Sequence, residues 1–231
     1  MGTLYIVATP IGNLDDISLR AKAVLSRVGT VLAEDTRQTR VLLEHIAVSP
    51  PQVISYHDFN KEKVTPRLIE SLKAGADMAV VCDAGTPGIA DEAFFLVRAA
   101  IKENITVVPV PGACAIITAL VASGLPTDRF VFENFLPIKS GRRMAFIESL
   151  KNERRTVVFY ESPYRIVKVL AEMDVVLGPV SMAIGREITK LHEEFLRGTP
   201  KALHDHFVKN KPRGEFVVLV NTRVPPFGKP A

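Results

Sequence analysis

Cysteine is scarce. The 231 residues contain two, Cys82 and Cys114. Both sit in apolar surroundings beside glycine-containing loops, and neither has the spacing of a metal ligand, so each reads as a buried free thiol rather than half of a disulfide. No apolar run approaches the ~20 residues a membrane helix needs. The N-terminus, MGTLYIVATP, has no basic residue ahead of its apolar run, and that run is too short for a signal peptide. A cytoplasmic protein without a membrane partner is expected. Several signatures are also missing: G-x-G-x-x-G, the Walker loop, H-E-x-x-H and G-x-S-x-G. The first absence argues against a nucleotide-binding oxidoreductase. The histidines, His45, His57, His192, His204 and His206, lack a metal spacing. His204 and His206 lie two apart on a predicted helix and so face different ways. No nucleophilic triad is visible, and no metal is expected.

Apolar residues make up 47% of the chain and charged residues 23%, enough for one large domain or two small ones around real cores. Lys plus Arg number 29 against 25 Asp plus Glu, a net charge of +4. That is a mild bias toward anionic partners.

The most informative stretch is residues 79–93, AVVCDAGTPGIADEA. A buried strand is predicted at 78–82, ending at Asp83. A small-residue loop follows, Ala84-Gly85-Thr86-Pro87-Gly88, and a helix opens near Asp91. Carboxyl ends of parallel strands leave a crevice where backbone groups are free, so this order of elements suits a ligand site. Pro87-Gly88 fits the centre of a type II turn. The competing reading is a tight turn capped by an aspartate.

Strands and helices alternate on both sides of this stretch. A strand at 3–8 runs into Thr9-Pro10-Ile11-Gly12-Asn13. The next helix shows Ile17, Ala21, Val24, Leu25 and Val28 on one face, with Asp15 or Asp16 as cap and Gly29 closing it. A strand at 30–33 is tipped by Glu34-Asp35-Thr36-Arg37, and a helix covers about 38–45. After a strand at 53–56, Thr65-Pro66 is expected to open a helix burying Leu68, Ile69 and Leu72, with Gly75 at its end. The helix at 91–102 is expected to bury Phe94, Phe95, Val97 and Ile101. A strand at 105–110 leads through Pro111-Gly112-Ala113 into an apolar helix ending at Ser123. Three strands therefore end in Pro/Gly-bearing loops. If their tips share one sheet edge, they form one pocket. Such a pocket, with few charges, suits a cofactor held by main-chain hydrogen bonds and apolar contact.

Beyond residue 124 the rhythm changes. Strands are predicted at 129–134, 156–160, 181–185, 192–197 and 215–220. Helices follow Ser140, Ser162-Pro163 and Thr199-Pro200. The expected fold is α/β with two domains. Residues 1–124 form a mostly parallel sheet with helices on both faces. Residues 129–222 form a mixed, mainly antiparallel sheet with helices. The linker is 125–128, and 223–231 form a loose tail.

Six motifs occur in order: Thr9-Pro10-Ile11-Gly12-Asn13-Leu14, Glu34-Asp35-Thr36-Arg37, Asp83-Ala84-Gly85-Thr86-Pro87-Gly88, Val110-Pro111-Gly112-Ala113, Tyr160-Glu161-Ser162-Pro163-Tyr164-Arg165 and Arg186-Glu187-Ile188-Thr189-Lys190. Through them the chain resembles the small-subunit ribosomal RNA methyltransferases of the tetrapyrrole methylase fold family, over residues 2–222. That resemblance implies transfer of a methyl group from S-adenosyl-L-methionine to the 2′-hydroxyl of a cytidine ribose in 16S rRNA of the 30S subunit. It further implies a cofactor cleft between the two domains and a homodimer. Carried over by position, Asp83, Gly85, Thr86, Pro87 and Gly88 would hold the methionine part of the cofactor. Pro10 would line the same pocket, and Ala113 would contact the ribose or carboxylate region. Backbone near Tyr160, Ile184, Gly214 and Phe216 would hold the adenine side. The family often carries a further C-terminal segment, and RNA contacts made by it are expected to be absent here.

The chemistry agrees with this resemblance. A sulfonium methyl is already activated, so alignment and water exclusion supply much of the rate. A ribose hydroxyl is a weak acid, so a base or an alkoxide-stabilising cation should help. Asp35, Arg37, Glu161, Arg165, Arg186, Glu187 and Lys190 are the catalytic candidates. Salt bridges between domains or protomers are the alternative role for them. For phosphate contacts the candidates are Arg40, Lys139, Arg142, Arg143 and Arg165, with Lys151 to Arg155 as a further run; solvated surface is the competing role. Two other functions stay open, a C-methyltransferase for a corrin or porphyrin precursor and a non-catalytic ribosome-assembly factor.

Overall fold

The computed structural model describes residues 1–227 and divides into two compact units, Met1–Cys114 and the chain from Ala115 onward. The expected linker at 125–128 lies inside the second unit.

In the first unit β1 (Thr3–Val7), β2 (Thr30–Ala33), β3 (Gln52–Ser55), β4 (Met78–Val81) and β5 (Thr106–Val110) form an all-parallel sheet in the order β3-β2-β4-β1-β5. Alternate strand residues serve different cores, because a strand's side chains point to opposite faces in turn. Val7, Val31, Ala33, Ala79 and Val81 meet Ala21, Val24 and Leu25 of α1 (Leu19–Arg27) and Leu42 and Leu43 of α2 (Thr36–His45). Leu4, Leu32, Met78 and Val80 meet Leu68, Ile69 and Leu72 of α3 (Lys61–Lys73) and Leu96 and Ala100 of α4 (Ala93–Lys102) on the other face. Helices thus cover both faces, as expected.

Local details differ from the sequence expectation for identifiable reasons. Asp15 and Asp16 lie in a separate 3-10 turn, Leu14–Asp16, and α1 is capped by Ser18, whose Oγ accepts the Ala21 amide. This helix leaves through Val28 in an extended conformation, so Gly29 does not end it in a left-handed one. Asp35 caps α2, which begins at Thr36. Pro66 lies inside α3 rather than at its start. The Thr65 hydroxyl, expected to cap, is buried against Tyr56 Oη at 3.1 Å. In α4 the buried residues are Ala93, Leu96 and Ala100, while Phe94 and Ile101 are 63% and 61% exposed and Phe95 also reaches solvent. That helix is apolar around most of its circumference, so hydrophobicity alone could not say which face meets the sheet.

The second unit contains α5 (Ala115–Ser123), β6 (Phe130–Phe135), α6 (Ser140–Ser149), β7 (Thr156–Glu161), α7 (Ile166–Leu177), β8 (Ser181–Arg186), β9 (Glu194–Gly198), α8 (Pro200–Lys209) and β10 (Phe216–Asn221). Its sheet runs β6-β7-β10-β8-β9. β6 and β7 are parallel and the other neighbours antiparallel, as expected for a mixed sheet. Ile147, Val169, Leu170, Met173, Leu203 and Phe207 from α6, α7 and α8 pack on Val157, Phe159, Met182, Ile184, Phe216 and Val218. α5 packs on β10 and β8. α7 begins three residues after Pro163, at Ile166. Of the expected loose tail, the Val224 amide donates to Asn221 and the Pro225 carbonyl accepts from Ser181 Oγ. Residues 228–231 lie outside the described residues.

Candidate functional site

The carboxyl ends of β1, β4 and β5 are adjacent in the first sheet, and their loops interlock. Thr9 and Gly85 exchange backbone hydrogen bonds, 2.8 Å from Thr9 N to Gly85 O and 3.2 Å in return. Thr9 Oγ1 also donates to the Cys82 carbonyl at 3.1 Å. Thr86 Oγ1 donates to the Ala113 carbonyl at 3.1 Å, tying the loop after β4 to that after β5. Gly85 has φ +90° and Gly88 φ +89°, a region that L side chains resist. A Cβ on Gly85 would lie 3.3 Å from Ile11 Cγ2. The surface formed is largely backbone, and it brings Pro10, Asp83, Gly85, Thr86, Pro87, Gly88 and Ala113 to one edge.

Charge gathers beside it. Asp83 Oδ1 accepts the Asp35 amide at 2.9 Å, joining the tips of β4 and β2. Asp35 accepts from the Arg37 backbone amide and guanidinium, which together hold its carboxyl at about 2. The Arg37 side chain is otherwise 86% exposed. Glu34, Tyr56, Cys82, Asp91 and Glu92 line a small open cleft. Burial, with Asp83 and Glu92 nearby, raises the Glu34 pKa, and burial raises that of Asp91. Burial pushes the Cys82 thiol up to about 12. Among the described residues no group of histidine, cysteine and carboxylate side chains could hold a metal ion, and no helix is long and apolar enough to cross a membrane.

In the second unit Arg186 ends β8, and Glu187 and Lys190 lie in the turn that follows. Arg186 Nε pairs with Glu194 Oε2 at 2.8 Å. Lys190 Nζ bridges Glu187 Oε1 at 3.1 Å and Glu215 Oε2 at 2.9 Å. Glu187 Oε1 also accepts the Glu215 amide. Burial opposes the charge on Lys190, but these carboxylates outweigh it and its pKa rises. Gly214, at φ +85°, allows the approach: a Cβ there would sit 2.4 Å from the Glu187 carboxyl carbon. Tyr160 stacks edge-on with Phe132, centroids 5.1 Å apart. Phe216 and Ile184 are core residues. Ile184 also lies within the ladder between β10 and β9, so it presents neither side chain nor strand backbone to a ligand.

The expectation for Arg143 needs correcting. It is 3% exposed, not a surface cation. Its Nε and Nη2 meet Glu172 at 2.5 and 2.7 Å, and Nη1 donates to the carbonyls of Pro137 and Ile138 at 3.0 and 2.7 Å. Arg165 Nη2 donates to the Leu136 carbonyl at 2.7 Å, so two guanidiniums brace this loop from beneath. Glu161 is enclosed, with Oε1 accepting the Ser162 amide and Oε2 lacking a partner, and burial raises its pKa. Lys139, Arg142 and Arg40 remain exposed. Sequence reasoning missed Glu172 and the double role of Asp91, whose Oδ1 accepts both the Gly88 and Ala93 amides.

The profile of the family Tetrapyrrole (Corrin/Porphyrin) Methylases matches residues 3–204. The chain is 47% identical over 226 residues to "Ribosomal RNA small subunit methyltransferase I" of Synechocystis sp., covering 97% of this chain and 81% of that one. Its identity to the protein of the same name from Pseudomonas aeruginosa is 48%, covering 95% and 78%. Among solved structures it superposes on diphthine synthase with TM-score 0.73 at 13% identity, covering 97% and 91%. With uroporphyrin-III C-methyltransferase from Thermus thermophilus complexed with S-adenyl homocysteine the TM-score is 0.62 at 18% identity, covering 96% and 98%. The last two likenesses concern the fold alone. The matched span, 3–204, takes in all six motifs whole and every strand but β10, so this chain belongs to the tetrapyrrole (corrin/porphyrin) methylase family.

Proposed function

We propose that this chain transfers a methyl group from S-adenosyl-L-methionine to a cytidine ribose 2′-hydroxyl of 16S rRNA, acting as a homodimer on the small ribosomal subunit in the cytoplasm. The observation that carries the reading is the backbone-lined edge built by the loops after β1, β4 and β5, with Gly85 and Gly88 both left-handed. A ligand with one carboxylate, one ammonium and a long apolar stretch fits such a surface: amides serve the first, the carboxylates of Glu34 and Asp83 favour the second. S-adenosyl-L-methionine, when bound, supplies a sulfonium-activated methyl. Asp83, Gly85, Thr86, Pro87 and Gly88, with Pro10 and Ala113, would hold its methionine end.

The remaining chemistry concerns the hydroxyl. Asp35 is held at about 2 and Glu187 below the usual carboxylate range, so both are weak bases near neutral pH. Glu161 is enclosed. The cations Arg37, Arg186 and Lys190 are better suited to stabilise oxyanion character as the proton leaves. Exposed Arg40, Lys139 and Arg142 suit phosphate contact.

The test is transfer of labelled methyl from S-adenosyl-L-methionine to unmodified 30S subunits, to free 16S rRNA and to a precorrin, followed by mapping of ribose methylation. The expected outcome is one 2′-O-methylcytidine in 16S rRNA. Label in the precorrin alone, or subunit binding without transfer, refutes the assignment.

A further inference from the structure

We propose that Asp91 is a positioning residue for the loop at 83–88: its carboxylate holds the Gly88 and Ala93 amides together and keeps the loop backbone in the form that receives the cofactor. This inference rests on the cofactor reading above.

A single oxygen, Asp91 Oδ1, accepts from Gly88 N at 2.8 Å and from Ala93 N at 2.9 Å. The first amide belongs to the candidate cofactor loop, the second to the first turn of α4. Between them the chain runs through Ala90 at φ +68°, and Gly88 itself is at φ +89°. Left-handed residues outside a regular ladder persist only where surrounding contacts hold them. Here the holding contact is a charge-assisted acceptor, the stronger kind of hydrogen bond. The residue at the helix N-cap position, Glu92, makes no side-chain capping bond, so the start of α4 draws on the same oxygen. The Cys82 thiol lies beside this carboxylate at the end of β4, and Glu34 and Glu92 line the same cleft. Strand tip, loop and helix start therefore meet at one side chain. An ordinary helix cap would need the Ala93 contact alone. The Gly88 contact ties the cofactor loop to that helix.

The experiment compares Asp91→Ala with Asp91→Asn in the full chain. Asparagine keeps an acceptor oxygen, and alanine removes it. S-adenosyl-L-methionine affinity is measured by calorimetry, KM and kcat by methyl transfer to 30S subunits, and Gly88 amide exchange by NMR on the ligand-free protein. Asp91→Ala is expected to weaken cofactor affinity about tenfold, with KM rising about as much and kcat at saturation changing by less than about threefold. Gly88 exchange should accelerate in the same variant. Asp91→Asn should restore all three to within about threefold of wild type. Wild-type affinity in Asp91→Ala overturns the proposal, as does equal impairment of both variants. Should the wild type bind no S-adenosyl-L-methionine, the function reading fails, and unaccelerated Gly88 exchange in Asp91→Ala then separately overturns the positioning role. If Asp91→Ala does not fold, Asp91→Ser, whose hydroxyl is too short to span both amides, carries the same comparison.

Discussion

Arg143 offers a sharp test, because its neighbour Arg142 has similar chemistry and a different environment. The Arg143 side chain is 4% exposed and that of Glu172 13%. Replacing Arg143 with alanine removes both bonds to Glu172 and both to the loop carbonyls, leaving Glu172 with Ser140 Oγ. Breaking a buried pair from one side leaves an uncompensated charge and costs about 3–5 kcal/mol. With a urea slope of about 1–3 kcal/mol/M, the unfolding midpoint should fall on the order of 1 M or more. Arg142 is exposed, so Arg142→Ala should stay within about 0.5 kcal/mol. The double variant Arg143→Met, Glu172→Leu should recover most of the loss, since apolar residues of similar volume often replace a buried pair at little cost. The pair also sets a pH dependence. The hydrogen bond from Arg143 lowers the Glu172 pKa from 4.5, so the folded state releases this proton more readily than the unfolded chain. That stabilisation is complete above about 4.5 and is lost as pH falls through the lower folded value. The wild type should therefore lose part of its advantage over Arg143→Ala on acidification. Urea melts at pH 7 and pH 3 measure both effects. A cost below about 1 kcal/mol for Arg143→Ala, or an equal cost for Arg142→Ala, would refute the account of a buried brace.

Two further perturbations probe other parts of the molecule. Gly214→Ala should displace the Glu187 carboxylate, because a Cβ would stand 2.5 Å from Glu187 Oε1 at φ +85°. A loss of about 1–3 kcal/mol is expected in urea melts, and unchanged stability would contradict the close approach. Cys82, with its thiol pushed up to about 12, should resist iodoacetamide at pH 8 in the folded protein and react once denatured. Mass mapping of the labelled peptide decides it.

Strand and helix alternation was legible throughout, because buried parallel strands are short apolar runs separated by helical periodicity. The Pro/Gly loops were legible too, since those residue types restrict the backbone locally. Reading went astray where one local signal admitted two environments. Thr65-Pro66 has the form of a helix start, yet Asn60 precedes the helix and Thr65 turns inward to Tyr56. Phe94 and Phe95 look like core residues, but small Ala93 and Ala100 sit against the sheet. Arg142 and Arg143 are equivalent in sequence, and only one faces a carboxylate from another helix.

The sequence by itself determined which segments are strands, which loops have exposed backbone chemistry, and the family to which their order corresponds, because these depend on residue type and short-range spacing. Only the tertiary structure decided that the loops after β1, β4 and β5 lock onto one another, that Asp91 serves two amides, and that Arg143 is a brace. Each of these depends on strand order and on partners distant in the chain, and no local pattern encodes the charge or oxygen that a side chain will meet there.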